Sequence, residues 1–120
     1  MTLALVLLGA AVGAPLRYVT DVLVQSRHDS VLPWGTLVVN VGGSLLLGVA
    51  AAALPDHEGA LALVGTGFCG ALTTFSTFGF ETVRLAQDGR VRSSVANVVL
   101  SVVLSLAACA LGWWLTSALV

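Results

Sequence analysis

The sequence predicts an all-α integral membrane protein of four transmembrane helices, and three observations predict it. Of its 120 residues, 58% are hydrophobic and 9% charged, whereas soluble domains carry about 25% charged residues. The mean hydropathy is +1.01. Four apolar segments, at about 3–25, 34–54, 60–83 and 94–118, each reach the roughly 20 residues needed to cross a ~30 Å hydrocarbon core. The connections between them carry turn and charge punctuation: Ser26-Arg27-His28-Asp29-Ser30, Pro55-Asp56-His57-Glu58-Gly59 and Gln87-Asp88-Gly89-Arg90. No internal repeat or low-complexity tract interrupts this pattern, so residues 1–120 are expected to form a single four-helix membrane domain.

The first segment could pass for a signal peptide, because Leu3–Val12 is a short apolar run followed by small residues. No Lys or Arg precedes the run, as a secretory n-region requires, and apolar character continues through Val24. It is expected to be a retained helix. Gly9 and Gly13 give a GxxxG spacing that permits close helix approach. Pro15 removes a backbone donor, and a kink is expected near Arg17. Arg17 and Asp21 stand at i,i+4, the spacing of a local ion pair; an intramembrane charge is equally a functional candidate.

In the second segment Asn40 lies mid-span, and its amide is costly in hydrocarbon unless paired. Two readings fit it: an interhelical hydrogen bond, or a donor facing a polar path. The third segment holds the most informative stretch, Gly67-Phe68-Cys69-Gly70-Ala71-Leu72-Thr73-Thr74-Phe75-Ser76-Thr77-Phe78. After the helix-weakening glycines it crowds four hydroxyls (Thr73, Thr74, Ser76, Thr77) and the phenyl rings of Phe75 and Phe78. Polar or irregular backbone is tolerated in lipid only where protein buries it or it lines a cavity, so the stretch reads as a lined pathway or ion site. In the fourth segment Ser101 and Ser105 share a face at i,i+4, although a serine can equally bond back to its own helix.

The chain has no Lys, and Arg27, Arg84, Arg90 and Arg92 all fall in or beside the first and third connections. The positive-inside rule places those connections in the cytoplasm and both termini outside. Trp34 and Trp113-Trp114 suit interfacial anchoring. A net charge of −1 without a basic patch argues against nucleic acid as a partner. Cys69 and Cys109 fall within spans and lack metal-ligand spacing, which fits small hydrophobes. His28 and His57 lie in connections on opposite sides, so a shared metal site is not expected. No nucleophile–base pair or phosphate loop suggests an enzyme.

Three motifs occur in order: Gly9-x-x-x-Gly13-Ala14-x-x-Arg17-Tyr18, then Gly35-Thr36-x-x-x-Asn40-x-x-Gly43-Ser44, then the 67–78 stretch. Together they resemble the CrcB/Fluc family of fluoride channels over essentially the whole length. The resemblance implies an antiparallel, dual-topology dimer with two fluoride pathways, a structural Na+ at the dimer centre, and a third helix broken at that ion. Carried onto this chain, the backbone carbonyls of Gly70 and Thr73 would coordinate sodium. Phe75 and Phe78 match the pore phenylalanines, whose ring edges can face an anion. Asn40, Ser76, Thr77, Ser101 and Ser105 would supply donors replacing fluoride's water. Glu81 fits an acidic position at the end of the third helix, acting through protonation or by capping. Arg17 would give positive bias near a pore mouth. The implied function is passive export of cytoplasmic fluoride across a bacterial plasma or inner membrane, giving resistance to fluoride toxicity.

Ala71 stands where the family often has a second glycine, and Pro15 falls inside the first motif. The one-sided arginines are at odds with dual insertion, which leaves pairing with an oppositely oriented paralogue as an alternative to a homodimer. A small multidrug-type proton-coupled transporter is the competing function. It needs an embedded carboxylate in the first helix, where the chain offers only Asp21 beside Arg17.

Overall fold

The computed structural model describes residues 2–27 and 32–119; the first connection, with His28, Asp29 and Ser30, lies outside the described residues. Helix α1 spans Thr2–Arg27 and α2 spans Trp34–Ala53. The third crossing is assembled from pieces. A short α3 (Glu58–Leu61) runs into a π-helix over Ala62–Cys69, then α4 (Gly70–Leu72), and α5 (Ser76–Gln87) follows three non-helical residues later. Helix α6 spans Val91–Leu119. Four stretches are long and apolar enough to cross a membrane, Thr2–Arg27, Trp34–Ala53, Glu58–Gln87 and Val91–Leu119. The first, third and fourth run past the hydropathy-based expectation at both ends, because helical hydrogen bonding continues into polar flanks such as Gln25–Arg27 and Val91–Ser93, while the second matches it to within one residue. The molecule measures 48 × 30 × 23 Å, and its long dimension suits a bilayer of about 40–45 Å including headgroups.

The core is thin and partly polar. Among the described residues the buried apolar set is Leu37, Val39, Ala50, Ala62, Cys69, Leu72 and Leu85, while Thr36, Thr74, Ser94, Asn97 and Ser101 are buried beside it. Large apolar side chains on α1 and α6, such as Leu3, Leu7, Val103 and Leu106, face outward. Lipid is as apolar as leucine, so burying those groups would gain nothing; helices associate instead through small residues that let backbones approach. At Gly9 an added Cβ would meet the Leu63 carbonyl and the Phe68 amide, and at Gly67 it would meet the Val6 carbonyl. The predicted GxxxG packing is therefore realised between α1 and the π-helix. Pro15 sits inside α1 without ending it.

The π-helix was not foreseen. Gly65, Gly67 and Gly70 lower helix propensity across one short run, and the Gly70 amide donates back to Gly65 at π spacing. Helix α5 ends in a Schellman turn. Gly89, at φ 76°, is the left-handed residue, with Arg90 N–H donating to Leu85 O at 2.9 Å and Gly89 N–H to Ala86 O at 3.2 Å. That turn reverses the chain and sets α6 against α5.

Candidate functional site

The polar chemistry gathers where the third crossing loses its helix. Leu72 is the last residue of α4, Thr73 is extended at φ −80° and ψ 160°, and α5 begins at Ser76. The freed backbone groups find partners from elsewhere. Asn40 of α2 donates from Nδ2 to Thr74 O at 3.0 Å and accepts the Thr74 N–H on Oδ1 at 2.7 Å. This two-point grip uses the whole carboxamide edge. The interhelical reading of Asn40 is thus met, and a carboxamide still has a second N–H donor to offer. Gly43, one turn on, lets α2 approach: a Cβ there would meet the Thr73 methyl.

The local hydroxyls divide into two pairs. Thr73 Oγ1 donates to Cys69 O at 2.8 Å, and Thr74 Oγ1 accepts the Thr77 N–H at 3.2 Å, capping α5. Those two hydroxyls secure the interruption. Ser76 and Thr77 are exposed on the first turn of α5. The ring of Phe75 is 83% exposed, and its centroid lies 5.9 Å from that of Phe78 at an interplanar angle of 48°.

A groove of about 440 Å3 runs along this region, bounded by α2, the pieces of the third crossing and α6. Its walls bring together Asn40, Gly70, Thr73, Phe75, Phe78, Ser101 and Ser105. Ser76 and Thr77 lie outside that lining, as do Arg17 and Glu81. Ser101 Oγ is buried with no hydrogen-bond partner among the described residues.

The i,i+4 charges of α1 do not pair with one another, contrary to the ion-pair reading. Arg17 Nη1 donates across to Thr73 O at 3.3 Å, because the interruption leaves that carbonyl without a helical donor. Asp21 Oδ1 is buried without a hydrogen-bond partner among the described residues and is pressed against α2, where a Cβ at Gly35 would collide with it. Next to Gly35, the Thr36 hydroxyl donates to Glu81 Oε1 at 2.5 Å, tying the start of α2 to α5. Glu81 also borders a smaller polar hollow of about 320 Å3 with Gln25, Arg84, Asp88 and Arg90. Glu81 and Arg17 therefore belong to different places: one at the loop end, the other at the interruption.

One polar cluster escaped the sequence reading. Ser94 and Asn97 of α6 bond to Thr82 of α5. A signal existed: Ser94, Asn97, Ser101 and Ser105 follow one another at spacings that keep one helix face, so the serine pair is the lower half of a longer stripe.

Comparison with known proteins decides the family. Residues 4–113 match the family described as "CrcB-like protein, Camphor Resistance (CrcB)". The chain belongs to the CrcB family. Among its relatives, a "Fluoride-specific ion channel FluC 1" of Frankia casuarinae is 53% identical, with 93% of each chain covered. One of the same name from Streptomyces avermitilis is 50% identical over 99% of this chain and 98% of its own. A "Fluoride-specific ion channel FluC 2" of Mycobacterium tuberculosis is 49% identical over 92% of this chain and 86% of its own. These relatives are named as channels, which disfavours the proton-coupled transporter reading. Four membrane-length helices and bacterial relatives make this CrcB protein a multi-pass bacterial membrane protein.

Proposed function

We propose that the protein is a fluoride-selective channel that lets cytoplasmic fluoride leave by electrodiffusion. The observation that carries this reading is end-to-end similarity, at about half identity, to proteins named for that activity. The groove supports it: its lining brings Asn40 of α2 and Ser101 and Ser105 of α6 together with Phe75 and Phe78. A small hydrated anion gives up water only where donors replace it. Asn40, Ser101 and Ser105 offer such donors, with Ser76 and Thr77 on the adjoining turn, and the edges of Phe75 and Phe78 are electropositive. An inside-negative membrane favours exit by about 2.3 kcal/mol per 100 mV for one charge.

The groove lies open along the surface of a single chain, so the complete pathway takes its remaining wall from a second subunit. An antiparallel homodimer is the proposed assembly, with a paralogue as the other possible partner. Its centre would lie at the broken third helix. There the donor that would cap Gly70 O in a continuous helix, the Thr74 amide, is turned to Asn40 instead. The Gly70 carbonyl is left available, and neutral carbonyl oxygens suit a hard cation. Gly70 and Thr73 would hold Na+, the latter sharing its carbonyl with Arg17. An ion held by those carbonyls would supply fixed positive charge beside the groove. Arg17 adds positive potential beside the groove, and Thr36 keeps Glu81 directed toward α2 rather than toward the rings.

Two measurements test this. Fluoride release from proteoliposomes, followed by electrode, should require a potassium ionophore as charge shunt; full-rate release without one points to coupled transport. A cysteine at exposed Asp88, in a background lacking Cys69 and Cys109, should be labelled in about half the molecules of intact cells, since dual insertion puts each face outward equally. The arginine bias alone predicts labelling only after the cells are opened.

A further inference from the structure

We infer that Asn97 is a positioning residue for the pathway, acting through Thr82 on the turn of α5 that carries Phe78. The inference rests on the channel reading above. Three hydrogen bonds define the device. Asn97 Nδ2 donates to Thr82 Oγ1 at 2.9 Å, Thr82 Oγ1 donates to Phe78 O at 2.8 Å, and Ser94 Oγ donates to Thr82 O at 2.8 Å. Asn97 and Ser94 are 4% and 7% exposed, so these bonds form away from solvent, where an unmade partner is costly.

The order of donation matters. A hydroxyl has one proton and two lone pairs. The Asn97 donor occupies a lone pair of Thr82 and thereby commits the proton to the Phe78 carbonyl. A threonine bonding back to the carbonyl four residues earlier bends its helix locally. Here the back-bond falls on the residue whose ring lines the groove and meets Phe75. Ser94 takes the Thr82 carbonyl, one turn further along the same helix, so Thr82 holds α5 to α6 through both its hydroxyl and its carbonyl, in addition to the Gly89 turn. The two halves of the α6 stripe then differ: Ser94 and Asn97 are engaged by α5, whereas Ser101, in the groove lining, has no hydrogen-bond partner among the described residues.

The test measures fluoride flux per assembled channel, and the fluoride-to-chloride permeability ratio, in proteoliposomes. Thr82→Val keeps the side-chain shape and removes both bonds of the hydroxyl. Losing a bond worth about 1.4 kcal/mol in ring placement corresponds to a roughly tenfold fall in flux, with a lower permeability ratio. Thr82→Ser restores the hydroxyl and should restore both. Asn97→Ala should give a similar loss alone and less than about a twofold further loss in the Thr82→Val background, since interacting residues are not additive. If Thr82→Val fails to assemble, Asn97→Ala carries the test, because it removes only the donor behind the hydroxyl. Normal flux and permeability ratio in an assembled variant would overturn the inference, as would multiplying losses in the double variant. Wild-type protein that released no fluoride would overturn the channel reading first; wild-type release with an indifferent Asn97→Ala would overturn this inference alone.

Discussion

Helices α2 and α6 meet along a seam of small residues, whereas α2 and the third crossing meet at a set of hydrogen bonds. At the seam, a Cβ on Gly48 would run into the Cys109 carbonyl, and one on Gly112 would come within 2.5 Å of the Leu45 carbonyl. Both helices keep their own backbone bonds there, and contact is a matter of shape. At the interruption the backbone of Thr73–Phe75 has left the helix: Arg17 donates to the Thr73 carbonyl, Asn40 grips both the N–H and the C=O of Thr74, and the Thr74 hydroxyl accepts the Thr77 N–H. The seam can hold the fold without chemistry. The interruption cannot be made without it, and the same polar groups that repair the backbone give a groove in lipid its donors.

The largest effect is expected from breaking the seam. Gly48→Val places a branched side chain against a backbone carbonyl, and overpacking of this kind costs about 3 kcal/mol. Folded protein should be lost in a detergent melt, while whatever assembles conducts normally. A stable variant would mean that the seam has slack. Asn40→Ala removes both ends of the grip on Thr74, at about 1–3 kcal/mol, and should also cut flux at least tenfold. Unchanged flux with a lower melting temperature would assign Asn40 to packing alone.

Smaller stability changes are expected where side chains face the groove rather than hold it. Phe75→Ile and Phe78→Ile keep apolar bulk, and near volume-conserving swaps cost under about 1.5 kcal/mol, yet both should lose throughput as intact assemblies. Normal conduction in both would make the rings packing residues. Smallest of all is Ala71→Gly, which alters helix propensity by about 1 kcal/mol and should leave flux unchanged, because only main chain is asked to act at that turn. A large functional loss there would show that the methyl against Gly13 matters.

The four crossings were legible because hydropathy and length are set by the bilayer, and the GxxxG on α1 was legible because close approach needs absent side chains. The interruption at Thr73 could be expected from glycines and hydroxyls, but its repair could not. Nothing in the spacing says that Asn40 would span both N–H and C=O of Thr74, or that Arg17 would prefer the Thr73 carbonyl to Asp21 four residues away. Both choices depend on a backbone group becoming available in another helix. The Asn97–Thr82 bond was missed for a related reason: each residue alone is an ordinary helix polar group, and only the α5–α6 hairpin brings them to 2.9 Å. The π-helix escaped because glycine lowers helix propensity without specifying the hydrogen-bond step that replaces it.

The most direct test of the central claim is current through the purified protein in a planar bilayer, with a fluoride gradient imposed and chloride equal on both sides. A fluoride-selective channel predicts a current that reverses at the fluoride equilibrium potential and persists without a proton gradient. Reversal near the chloride potential, or silence unless protons are supplied, would contradict it.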